Sequence, residues 1–146
     1  DKTLVKVKAK DEEIETGMEE SFQVTITEEM LNKFKEITGD VNPLHTDEAF
    51  AKTKGYDSCV AYGMLTASFL STLAGVYLPG EKSLIHSVET KFVKPVFLGD
   101  ILTITGKVAE KNELFSVLTL KVTITNQHKE KVLRGSMQIG VLADGE

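Results

Sequence analysis

Apolar and polar positions alternate with two different periods along this chain, and the change of period marks its elements. Ser21-Phe22-Gln23-Val24-Thr25-Ile26-Thr27 alternates with period two, which predicts a strand. Thr27 then stands where a helix N-cap belongs, with Glu28 and Glu29 in the first turn, where the helix dipole favours acids. Met30, Leu31, Phe34 and Ile37 follow at helical spacing and predict a helix of about ten residues with one apolar face. Gly39 ends it. A short helix through Phe50-Ala51, capped by Thr46 or Asp47, precedes a loop at Gly55-Tyr56-Asp57-Ser58.

The next segment differs in kind. Tyr62 to Leu78 contains no charged residue, and a helix apolar nearly all round is a buried one. Pro79-Gly80 stops it. Beyond it the period returns to two. Leu84, Val88 and Phe92 share one parity of a run ending at Pro95, and Ile101–Val108 forms a second run. Leu114, Leu118, Leu120, Val122 and Ile124 share one parity of a third, and Leu133, Met137, Ile139 and Val141 of a fourth. Turns at Gly99-Asp100, Lys111-Asn112 and Asn126-Gln127-His128-Lys129 are short, so the strands are predicted to form an antiparallel meander. The pattern predicts an α+β fold: a curved antiparallel sheet of about five strands wrapped around a central buried helix at about residues 62–78.

Residues 1–20 are charged and weakly patterned. Leu4-Val5-Lys6-Val7 is a candidate short strand, while Asp11-Glu12-Glu13 and Glu19-Glu20 flank a turn at Gly17. The segment is predicted as an N-terminal arm over the surface of a single domain spanning 21–146.

Composition narrows the function classes. A length of 146 residues suits one domain with a real core. A hydrophobic content of 41% with 27% charged residues describes a globular chain and not a disordered one. A net charge of −5 with no basic run argues against a nucleic-acid partner. No apolar run reaches the roughly 18–20 residues of a membrane span, so no membrane partner is expected. The start carries no basic-plus-apolar signal segment, and its Asp1 suggests a processed or trimmed start. Cys59 is the single cysteine, which excludes an intrachain disulfide and fits a reducing, cytoplasmic location. The three histidines show no metal-ligand spacing, and no glycine-rich phosphate loop is present, so neither a metal nor a cofactor is expected.

Candidate chemistry concentrates in Thr38-Gly39-Asp40-Val41-Asn42-Pro43-Leu44-His45. A carboxylic acid and an imidazole stand five residues apart on a turn stiffened by glycine and proline, as proton transfer requires. The same residues also suit plain turn chemistry, with Asp40 in an Asx turn and Asn42-Pro43 as turn initiator. Both readings stay open on the residues alone. His86 within a strand and His128 within a turn read as structural. Gly63 opens the buried helix, whose first N–H groups have no intrahelical partner.

With Phe34 before it and Ala49 or Ala51 after it, the Thr38–His45 motif resembles the signature of the MaoC-like (R)-specific enoyl-CoA hydratases, members of the hot dog fold. Gly63-Met64-Leu65-Thr66-Ala67-Ser68 and Phe92-Val93-Lys94-Pro95-Val96-Phe97-Leu98-Gly99-Asp100 fit as well, and the resemblance runs from about Phe22 to Leu142. It implies syn hydration of a trans-2-enoyl thioester to the (R)-3-hydroxyacyl thioester, and the reverse dehydration. Asp40 and His45 would be the catalytic pair holding the water, and the Gly63 N–H the donor to the thioester oxygen. Asn42, Tyr62, Ser68 and Lys94 would contact substrate. Lys52, Lys54, Lys91 and Lys94 are the candidates to meet phosphates of an acyl-CoA; an acyl-carrier-protein thioester is the other substrate form. Many members read His-Gly where this chain reads Tyr62-Gly63, and Cys59 replaces a frequent proline, which bears on substrate preference more than on reaction type.

The competing expectations are hot dog relatives. A thioesterase of this fold carries a carboxylate on or near the central helix, and an acyl-carrier-protein dehydratase pairs a His with a Glu there; Tyr62–Leu78 supplies neither acid. A non-catalytic acyl-binding protein would need no Asp–His pair. The fold also implies a homodimer whose sheets join edge to edge, with active sites near the interface.

Overall fold

The computed structural model describes residues 14–143. The candidate strand at Leu4–Val7 and the acids at residues 11–13 lie outside them. The turn at Gly17 is present, with φ of 96°. Just before it Ile14 is fully buried in the core, and Gly17 and Met18 hydrogen-bond to Val108.

Strand β1 spans Glu19–Thr25 and helix α1 Glu28–Thr38. The Thr27 hydroxyl accepts the Met30 N–H at 3.2 Å, and Gly39 closes α1 in the left-handed conformation, its N–H donating to Lys35 O. Two short helices follow: α2 (Pro43–Thr46), which the periodicity does not predict, and α3 (Glu48–Thr53), capped by the Asp47 carboxylate. Helix α4 runs from Gly63 to Thr72 and continues as a π-helical turn at Leu73–Tyr77. Leu65, Leu70, Leu73 and Ala74 bury its underside.

The remaining strands are β2 (Ser83–Phe92), β3 (Ile101–Asn112), β4 (Val117–Thr125) and β5 (Lys131–Val141). They form one antiparallel sheet in the order β1-β3-β4-β5-β2. The expected meander therefore holds only for β3 to β5. Strand β2 pairs with β5, and its connection to β3 crosses the end of the sheet, tied down by Ala61 N–H to Val96 O and Gly99 N–H to Ile26 O. Leu114 also departs from expectation. It sits 84% exposed in a turn closed by the Asn112 side chain on the Phe115 N–H, so its parity with β4 is coincidental.

One face of β3, β4 and β5 buries Leu102, Ile104, Val108, Leu118, Leu120, Val122, Ile124, Leu133, Met137 and Ile139 beneath the helix. Register shifts in β2/β5, β3/β4 and β4/β5 bend the strands toward it. Gly106 interrupts the inward row for a steric reason: a Cβ there would stand 2.8 Å from Leu73 Cδ2, so the missing side chain lets the helix settle on the sheet. The apolar row of β2 is different. The register shift between Ile85 and Ser87 turns Leu84 to the face opposite Val88 and Phe92, and all three are about half exposed, because β2 is an edge strand and none of the described residues covers them.

Candidate active site

The Asp40–His45 loop is held by its own polar side chains. The Thr38 hydroxyl donates to Phe34 O and accepts the Asp40 N–H. Asp40 Oδ1 accepts the Asn42 N–H at 3.0 Å, so an Asx turn does form there. That bond uses one carboxylate oxygen. Asn42 Oδ1 in turn accepts the Leu44 N–H and caps α2, with Pro43 in the first turn where its missing N–H costs nothing. His45 is thereby fixed on a short helix directly after the acid.

A second segment orients the imidazole. Val60 donates its N–H to Leu44 O and forms an isolated antiparallel bridge with Phe97. Its carbonyl oxygen lies 2.6 Å from His45 Nδ1. A carbonyl only accepts, so a neutral imidazole here carries its proton on Nδ1 and leaves Nε2 as an acceptor. Tyr62 packs the other side. Its ring lies 4.4 Å from the His45 ring and 4.8 Å from Phe34, and its hydroxyl donates to the Asp40 backbone carbonyl at 2.7 Å. Burial pushes the Tyr62 phenol above its ordinary range, helped by the nearby charges of Asp40 and Cys59.

A cavity of about 260 Å³ opens beside the imidazole, its wall including His45, Gly63, Thr66, Phe92, Lys94 and Val96. Gly63 is the first residue of α4, and Tyr62 makes no side-chain cap. The Gly63 N–H meets no acceptor among the described residues. Phe92 rests on it: a Cβ at Gly63 would lie 3.2 Å from the Phe92 ring. Two larger concavities lie elsewhere on the sheet, and neither includes His45 or Gly63.

The structure thus brings His45, Gly63 and Lys94 to one wall and leaves the other expected contacts off it. Asp40 is exposed on the loop and reaches the imidazole's surroundings through Tyr62. Asn42 is a helix cap. Tyr62 is a strut between Asp40, His45 and the start of α4. Ser68 turns back into its own helix, donating to Leu65 O at 2.6 Å. Among the lysines, Lys52 pairs with Glu48, Lys54 sits over the Phe50 ring, and Lys91 faces a different concavity. Lys94 is paired with Glu130, whose carboxyl is held low first by that hydrogen bond and then by Asn126. Two participants escaped the sequence reading. Val60 acts through a backbone carbonyl that any residue would supply, and Thr66 is visible only once its burial is known.

Comparison with known proteins identifies the family. Residues 9–132 match the family described as MaoC like domain. An (R)-specific enoyl-CoA hydratase of Rhodospirillum rubrum is 34% identical over 138 residues, 92% of each chain. An (R)-specific enoyl-CoA hydratase of Aeromonas caviae is 38% identical over 94 residues, 64% of this chain and 70% of that one. Among solved structures, the unliganded (R)-hydratase of Pseudomonas aeruginosa superposes with a TM-score of 0.87 at 29% identity, covering 92% of this chain and 86% of that one. With that length of match and the sheet wrapped on α4 that both the pattern and the structure give, the chain belongs to the MaoC-like family of hot dog proteins.

Proposed function

We propose that this protein is a hydro-lyase that adds water to a trans-2-enoyl-CoA, giving the (R)-3-hydroxyacyl-CoA, and catalyses the reverse dehydration. The observation that carries the reading is one cavity walled by an imidazole with its Nδ1 engaged and by a free N–H at the start of a helix. The hydratase names of its relatives in R. rubrum and A. caviae support it.

The chemistry follows from those two groups. The thioester oxygen accepts the Gly63 N–H, where the helix start favours developing negative charge. His45 Nε2 takes a proton from water as the water oxygen bonds to the β-carbon. The electron pair of the C=C bond moves toward the thioester, giving an enolate. The imidazolium returns its proton to the α-carbon on the same face, so that the addition is syn. Asp40 stands outside the cavity wall, on the loop that leads into α2, and is assigned the hold on that water through the carboxylate oxygen that Asn42 does not engage. Such positioned acid–base groups contribute about 10²–10⁴-fold each.

A homodimer belongs to the same reading. Strand β2 is a ten-residue edge with half-exposed apolar side chains at Leu84, Val88 and Phe92, and its last residue, Phe92, borders the cavity. Pairing β2 with its symmetry mate would remove the edge, shield these side chains and close the open side of the site. The lone cysteine supports placing the reaction in the cytoplasm. A carrier-protein thioester is the alternative substrate form.

Incubation with crotonyl-CoA tests the activity. Loss of the enoyl thioester absorbance by wild type, and its retention with Asp40→Asn, is the expected result. Release of free thiol would instead identify a thioesterase.

A further inference from the structure

Thr66 is buried to 2% exposure, yet its Oγ1 has no hydrogen-bond partner. Buried polar side chains are nearly always satisfied, so the exception calls for a cause. A helical threonine normally has one remedy, the carbonyl four residues back. Here that carbonyl, Tyr62 O, already accepts the N–H groups of both Leu65 and Thr66. Ser68, two residues on in the same helix, does satisfy its hydroxyl locally, so the helix does not forbid it. Thr66 stands three residues after Gly63. Helical side chains lean toward the N-terminus, so its hydroxyl lies over the first turn on the face that carries the open Gly63 N–H. Both residues line the cavity that holds His45.

We propose that the Thr66 hydroxyl is a second hydrogen-bond donor to the carbonyl oxygen of the bound thioester, beside the Gly63 N–H. This rests on the hydratase reading of the same site. As water adds at the β-carbon, the electron pair of the C=C bond shifts and negative charge grows on that oxygen. A donor already in place and shielded from solvent then gains more in the transition state than in the ground state. The same arrangement explains why an unpaired hydroxyl is kept where a valine would fill the space: its partner arrives with the substrate. The half-exposed Phe92 ring, resting on Gly63, is the side chain the carbonyl displaces on entry.

Thr66→Val keeps the volume and removes the donor; Thr66→Ser keeps the donor. On crotonyl-CoA, Thr66→Val is expected to lower kcat on the order of 10²-fold while KM changes less, and Thr66→Ser to recover most of the loss. Thermal unfolding of Thr66→Val should be no lower than wild type, since a buried unpaired hydroxyl has been removed. Binding supplies a readout that does not need turnover. Wild type should prefer butyryl-CoA over its thioether analogue S-butyl-CoA, and Thr66→Val should reduce that preference about 3- to 10-fold. A Thr66→Val variant with wild-type kcat and unchanged preference overturns the proposal. If wild type shows no hydration but Thr66→Val still loses the carbonyl preference, the donor stands and the hydratase reading falls.

Discussion

His45 Nδ1 lies 2.6 Å from the carbonyl oxygen of Val60, a residue fifteen positions away whose own N–H bonds Leu44 O. The pair of contacts fixes both the position of the imidazole and which of its nitrogens is left to accept a proton. His45→Gln keeps a side-chain amide able to reach Val60 O but has no basic nitrogen. It should fold as wild type and lose about 10²–10⁴-fold in kcat on crotonyl-CoA. Steady-state kinetics beside circular dichroism checks both halves of that statement.

Tyr62 ties the acid and the base together, so its hydroxyl should be felt in stability and in rate. Tyr62→Phe removes the bond to Asp40 O and should cost about 1 kcal/mol in urea unfolding. Its pH dependence has a definite sign. The folded-state phenol is raised above its ordinary 10.0, so the folded chain keeps a proton that the unfolded chain has lost. The stability it lends is complete below that ordinary value and is lost as pH climbs above it. Unfolding curves of wild type should fall more steeply there than those of Tyr62→Phe.

Gly63 separates site from scaffold. Gly63 is the first residue of α4, where its N–H carries no intrahelical bond, so Gly63→Ala should leave the melting temperature close to that of wild type. Its Cβ would press on the Phe92 ring at 3.2 Å and enter the space in front of the open N–H. A fall in kcat on the order of 10²-fold with preserved stability is expected. A variant that loses stability and activity in parallel would show that the glycine serves packing alone.

Much of this arrangement is legible in the chain itself, and the losses have physical causes. Thr27, Gly39 and Pro79 mark element ends because capping and φ preferences are local, and the inward rows of β4 and β5 follow from period two. Non-local facts are not written in any short window. Nothing near Phe92 tells that β2 pairs with β5 at the sheet edge, nor that a bulge after Ile85 breaks the shared parity of Leu84, Val88 and Phe92, so all three read as one core row when they are half exposed. The pairing of Lys94 with Glu130 spans 36 residues and removes a cation that looks free in sequence. Ser68 and Thr66 look alike on paper. Only the helix shows that one hydroxyl is spent on Leu65 and the other is left unpaired.

The exposed edge of β2 gives a prediction about assembly. Val88→Lys places a charge in the middle of that edge, where two copies would meet antiparallel. Light scattering should report a dimer for wild type and a monomer for the variant, with hydration lost because the site's open side is no longer covered. A wild-type chain that runs as a monomer while hydrating crotonyl-CoA would remove the dimer from the account.

The central claim concerns the reaction and its face, and the configuration of the product tests it most directly. Crotonyl-CoA incubated with the protein and analysed by chiral separation should yield (R)-3-hydroxybutyryl-CoA, with His45→Gln yielding none above background. Formation of the (S) product, release of free CoA, or no change in the enoyl thioester would contradict it.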